Sequence, residues 1–147
     1  MKKGKSKEFV ALCEKYGVNP ERVPEVISFE AACKITGDNP KKLPVVTDIA
    51  KRHQKRSIAD YKLSIIADAI RGGKNVDYTN GRWKYHAVFS VEADEKRPSG
   101  FGLSYGDFDR WYTSSGVGVR LCFENIDQAI FFGEHFIDLH TDHHLLT

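Results

Sequence analysis

The spacing of apolar positions changes twice along the chain. Between residues 47 and 73 it is helical: Ile58, Tyr61, Ile65 and Ala69 share one face, and Ala59, Leu63, Ile66 and Ile70 widen it. Gly72-Gly73 closes this long helix. Ser57-x-x-Asp60 has capping-box spacing, and Lys51, Arg52, Lys55 and Arg56 upstream oppose the helix dipole. Both features favour a start at Ser57, with 48–56 as a separate turn. From Val76 the period becomes two. Trp83, Tyr85, Ala87, Phe89 and Val91 alternate with Lys84, His86, Val88, Ser90 and Glu92, which reads as a strand with one apolar face. Asn80-Gly81 is a hairpin signal that would pair Val76–Thr79 with the start of that strand. After a polar loop at 93–100, Phe101, Leu103 and Tyr105 mark a second strand, which Phe108–Thr113 extends or follows. Val117, Val119, Leu121 and Phe123 mark a last one, with Gly118, Arg120 and Cys122 on its other face. The helical period then returns over 125–146. Asn125 is the N-cap, and Ile126, Ala129, Ile130, Gly133, Phe136, Ile137 and His140 form the buried stripe. Gly133 on that stripe predicts close approach of helix and sheet. The predicted class is α+β: short N-terminal helices and one long helix, an antiparallel sheet of three or four strands over 76–123, and a C-terminal helix on one sheet face.

The first 46 residues contain a duplication. Phe9–Val26 reads FVALCEKYGVNPERVPEV and Phe29–Val46 reads FEAACKITGDNPKKLPVV; eight of 18 positions are identical at an offset of 20. Each unit predicts a short helix with Phe and Cys at i and i+4, ending at Gly17 or Gly37 in a left-handed cap. Asn19-Pro20 and Asn39-Pro40 then begin one tight turn, which Pro24 and Pro44 stop. Packed side by side, the units would bury Cys13 and Cys33 near each other.

Composition narrows the class without naming a chemistry. A length of 147 residues predicts one domain, 1–147, and a hydrophobic fraction of 41% excludes general disorder. Cys13, Cys33 and Cys122 lack a paired Cys-x-x-Cys spacing, so they read as buried thiols in a reducing compartment. Charged residues interrupt the N-terminal segment and no apolar run reaches membrane length, so the expectation is a cytoplasmic protein, not a membrane protein. Charge is asymmetric. Residues 1–60 hold thirteen Lys or Arg against eight Asp or Glu, while residues 100–147 hold two against seven. The halves either attract each other in the fold or polarise the surface toward a partner.

Three clusters are candidates for function. Residues 104–118 mix Tyr, Trp, Ser, Gly, Asp and Arg without clean alternation, the chemistry of recognition loops and of base-stacking platforms. Tyr105, Arg110, Trp111, Tyr112 and Arg120 are the candidate ligand contacts, with Arg120 mid-strand and either paired with Asp107 or Asp109 or anchoring a ligand. Lys51, Arg52, Lys55 and Arg56, with Lys41 and Lys42, could meet nucleic-acid phosphates or form a solvated helix face. His140 and His144, spaced i, i+4, could chelate a metal, but a full ligand set is not evident in the spacing. No catalytic motif and no cofactor-binding motif is found.

Phe29-x-x-Ala32-Cys33, Tyr61-Lys62-Leu63, Lys84-Tyr85 and Val117-Gly-Val-Arg-Leu-Cys-Phe123, followed by Ala129 and Phe136, resemble a group of small uncharacterised proteins encoded by Bacteroidetes and their phages and prophages. The resemblance spans about residues 28–146 and implies a mobile-element context and a host-cell cytoplasmic location; it carries no activity and no catalytic residues. The leading expectation is a non-catalytic binding or accessory protein of phage or prophage type that recognises a small ligand or host protein through 104–118. The alternatives are a nucleic-acid binder using 41–56 and a metal-dependent enzyme at the C-terminal histidines.

Overall fold

The structure is a computed structural model and describes residues 4–97, 99–111 and 119–145. Its class is α+β. Five helices, α1 (Lys7–Tyr16), α2 (Phe29–Thr36), α3 (Lys51–Ile70), α4 (Ile126–His135) and α5 (Ile137–His144), accompany an antiparallel ribbon of β1 (Lys84–Ala93) and β2 (Phe101–Trp111). Phe9, Cys13, Val23, Val26, Ala32, Cys33, Leu63, Ile66, Ile70, Phe123, Phe131 and Phe132 belong to one core, which therefore draws on both N-terminal units, α3 and α4.

The helix ends follow from local chemistry. Ser6 and Ser28 accept hydrogen bonds from the backbone N–H of Phe9 and Ala31, capping α1 and α2. Gly17 and Gly37, at φ 70° and 83°, end them in the left-handed conformation. In each following turn, Asn19 or Asn39 accepts from the backbone N–H two residues on at 3.0 Å, and its carbonyl accepts from the residue three on at 3.0 Å. The two copies thus share one hydrogen-bond pattern in this turn.

Several expectations are corrected. α3 starts at Lys51, not Ser57. The Ser57 hydroxyl donates to the His53 carbonyl at 3.0 Å, so the residue bonds back into the helix rather than capping it. Val76–Thr79 forms no strand; Gly81, at φ 68°, turns the chain before β1 without a hairpin partner there. Of the predicted last strand, 117–118 lie outside the described residues, Val119–Leu121 is a single 3-10 turn, and among the described residues Phe123 alone pairs, bridging Tyr85. The described sheet therefore has two strands. Arg71 Nη1 donates to the carbonyls of Arg120 at 2.6 Å and Cys122 at 3.3 Å, on the side of this segment away from Tyr85, and so ties it to the end of α3. The C-terminal helix is two helices, broken at Phe136, where φ −105° and ψ 29° leave the helical region.

Gly133 does what its place on the apolar stripe predicts. A Cβ there would lie 2.7 Å from the Ala87 Cβ and 2.7 Å from the Tyr105 ring. Glycine alone lets α4 lie this close to the ribbon. A bulge between Val88 and Phe89 in the pairing leaves Gly106 as the extra residue of β2. Lys84 and His86, read from the alternation as a polar face, are buried instead. Lys84 Nζ donates to Asn80 Oδ1 at 2.9 Å and to the Arg82 carbonyl at 2.7 Å, and faces Glu124.

Candidate ligand pocket

β1 turns Ala87 and Phe89 toward the C-terminal helices, and α5 lays His140 and His144, one turn apart, over Phe89. The His140 ring centroid is 4.6 Å from that of Phe89 and 4.6 Å from that of Phe132, the latter edge-to-face at 84°. His140 is 2% exposed. Its Nε2 lies 3.0 Å from the Phe132 carbonyl. A carbonyl only accepts, so the proton sits on Nε2 and Nδ1 carries a lone pair. Burial drives the His140 pKa down to about 3, against the raising effect of the Phe132 bond and with minor help from His144 and His143. The ring is therefore neutral at physiological pH. Nδ1 is buried and has no hydrogen-bond partner among the described residues.

His140 also lines a cavity of about 20 Å³, together with His86, Ala87, Phe89, Leu121, Phe132 and His144. That is room for one water or one small polar group. A wider groove of about 330 Å³ shares His86, Ala87, Phe89 and His144 with it and adds Val88, Val91, Leu103 and Leu145. Its volume is at the lower end of small-molecule sites, and its lining is mainly apolar. The two together place an apolar groove beside a cavity that the unpaired His140 helps to line. Burial also lowers the pKa of His144 and of His143.

Metal chelation by His140 and His144 finds no support in this geometry. Their rings are nearly parallel, at 10° with centroids 6.2 Å apart, and among the described residues no group of three His, Cys, Asp or Glu is placed to hold a metal.

The residues expected from the 104–118 segment turn to different neighbours. Tyr105 packs over Gly133; burial, then Asp107 and Glu134, push its pKa up to about 12, and its hydroxyl has no partner among the described residues. Arg110 lies on the surface with its guanidinium 4.6 Å from the Trp83 ring centroid. Arg120 is not mid-strand. It is exposed on the 3-10 turn and pairs with Asp60 of α3 at 3.8 Å, rather than with Asp107 or Asp109. The Trp111 side chain and Tyr112 lie outside the described residues.

Lys51, Arg52, Lys55 and Arg56 occupy the first two turns of α3 and are exposed. Lys55 pairs with Asp142 at 3.2 Å. Arg56 borders an open groove of about 400 Å³ with His53, Ser57, Asp60 and His143, in which His143 Nε2 lies 3.3 Å from Asp60. The Ser57 hydroxyl is committed to the His53 carbonyl, so Ser57, His143 and Asp60 form no relay.

Sequence reasoning placed Phe89, Phe132 and His86 in elements but not in a site. The usable signal was Gly133, which marks where helix and ribbon touch and hence where the flanking Phe132 and His140 must meet β1. No protein-family model, no curated protein and no solved structure matches the chain.

Proposed function

We propose that the chain is a binding protein whose pocket between β1, α4 and α5 takes a small ligand with an apolar body and one hydrogen-bond-donating head. The observation that carries this reading is the neutral His140, which has an unpaired buried Nδ1 and lines the cavity that adjoins the apolar groove. A buried acceptor without a donor is costly, by about 1–3 kcal/mol, and a ligand hydroxyl or N–H relieves that cost where a hydrocarbon does not. The functional reading thus moves from the 104–118 loop to the groove beside the ribbon. Among the described residues no helix is long and apolar enough to cross a membrane.

Benzyl alcohol and toluene test it, being alike in body and different in head. Benzyl alcohol should shift the His140 Nδ1 nitrogen resonance and raise Tm, and toluene should do neither to the same degree. His140→Phe removes the acceptor and fills the space; it should fold with stability close to wild type and bind both probes equally. Equal binding of the two by the wild type would refute the reading. Acid supplies a control. The His140 pKa is depressed on folding, so the unfolded chain takes up its proton first as pH falls below the ordinary 6.5. Stability is complete above about 6.5 and declines toward 3, by about 1.4 kcal/mol per pH unit from this residue, and His140→Phe should flatten that slope.

A second reading has one observation in its favour: the four exposed cations of α3 beside the open groove of Arg56. If these meet nucleic acid, single-strand affinity falls steeply with salt, and reversing Lys55 and Arg56 to Glu abolishes it. Absence of binding at low salt removes this reading.

A further inference from the structure

The outer edge of β1 carries an inference independent of the pocket. Tyr85 exchanges both backbone hydrogen bonds with Phe123, at 2.7 and 2.8 Å, so its N–H and C=O point away from β2. The Asp94 N–H donates to the Gly100 carbonyl at 2.8 Å, so even-numbered residues of the strand face β2 at its far end. The extra residue of the bulge belongs to β2, so the alternation along β1 is unbroken. Ala87, Phe89, Val91 and Ala93 therefore direct their backbone groups to the open edge. Among the described residues nothing pairs there beyond the His86 ring, which lies 3.1 Å from the Ala87 carbonyl.

Edges of this kind are normally guarded by proline, lysine, a bulge or a short strand. Residues 85–93 contain no Pro and no Lys, the bulged residue is on the other strand, and Val91 is 60% exposed. We propose that this edge pairs with the same edge of a second copy, antiparallel about a twofold axis at Ser90, joining two ribbons into one four-stranded sheet. That register sets Phe89 against Val91 of the other copy, Ala87 against Ala93, Val88 against Glu92 and Ser90 against itself. All four outward residues of each chain are used, for about eight backbone hydrogen bonds, the Ala87 carbonyl being shared with the His86 ring. It also keeps the only acidic side chain of β1 apart from its symmetry mate. The two Glu92 carboxylates stand four residues apart along the strands, about 13 Å, beyond the screening length of about 8 Å at physiological ionic strength. A twofold at Val91 would halve that distance, and one at Phe89 would use fewer outward residues. The occupant favoured is thus a second copy, not a foreign strand.

Sedimentation of the full chain over a concentration series, with Val91→Pro and Ala93→Pro, tests the pairing. Each proline deletes one N–H that points outward and none of the ladder to β2. The wild type should dimerise with concentration, and the folded variants should lose the dimer. Should a variant fail to fold, hydrogen exchange on the wild type decides the matter. The amides of Phe89, Val91 and Ala93 should gain protection only at dimerising concentration, while those of Val88, Ser90 and Glu92 are protected throughout. A wild type that stays monomeric at every soluble concentration, as it would if the edge served a foreign peptide, overturns the proposal. So does a dimer that persists in a folded proline variant, or protection of the outward amides that is independent of concentration.

Discussion

The two N-terminal units share their serine caps and asparagine turns and meet different fates in packing. Each has a Ser-capped helix, a left-handed glycine and an Asn-capped turn. In the first unit the turn is built into the protein. Val18, Val23 and Val26 are buried, Tyr16 Oη meets His135 Nδ1 at 2.9 Å, and Asn125 and Gln128 both donate to the Arg22 carbonyl. In the second, Asp38 stands where the first has Val18, and residues 38–42 are exposed. The shared motif specifies backbone geometry; burial depends on the positions at which the copies differ. Hydrogen bonds that close within four residues are local instructions, whereas a turn docks only if it also offers an apolar side chain at the right place.

The largest expected effect bears on the helical halves, where the copies should behave alike in kind. Phe9 is fully buried against Phe131, and Phe29 is 7% exposed at the edge of the core beside Tyr61. Phe9→Ala should cost about 3–5 kcal/mol and Phe29→Ala less, read from denaturant midpoints. Equal losses would mean that the two helices are buried alike, and the contrast would then rest on the turns alone. The turns give the sharper test. Val18→Asp should cost about 2–3 kcal/mol, whereas Asp38→Val should change stability by no more than about 0.5 kcal/mol. A comparable response at both positions would break the comparison. The caps of the two turns should respond symmetrically. Asn19→Ala and Asn39→Ala should each cost about 1 kcal/mol, since each removes the same cap; a silent Asn39→Ala would show that the second turn does not hold its geometry in solution.

How far the sequence could be read follows the same division. Gly17, Gly37 and the two asparagines located the ends of short helices, and Gly133 located the contact of helix with ribbon. These are features whose physical cause lies within a few residues or in the lack of a side chain. The failures involve distant partners. The alternation over 117–123 looked like a strand, yet Val119–Leu121 is a 3-10 turn that Arg71, about fifty positions away, ties to the end of α3. Ser57 has the spacing of a cap, but a serine inside a helix can satisfy itself on the preceding turn. Lys84 sat on the polar side of an alternating strand, yet the chain before β1 folds over it: Asn80 and Arg82 take its hydrogen bonds and the Tyr78 ring lies 5.5 Å away. No glycine or proline marks Phe136 as the break between α4 and α5. Of the pocket, only His140 and His144 were singled out, for metal chemistry; the lone pair of His140 depends on which carbonyl its other nitrogen meets, and no spacing reports that.

The Arg71 clasp also bears on how this chain can change length. One guanidinium pins the Arg120 carbonyl 49 residues downstream and so closes a loop that contains the ribbon, whose base also packs on α4 and α5. Closing such a loop costs entropy that grows only with the logarithm of its length, and doubling it adds about 0.6 kcal/mol. The outer part of the ribbon, past the residues that pack on α4 and α5, is therefore a region where insertions and deletions are thermodynamically cheap. The body of the protein can stay fixed while the reach of its arm is retuned.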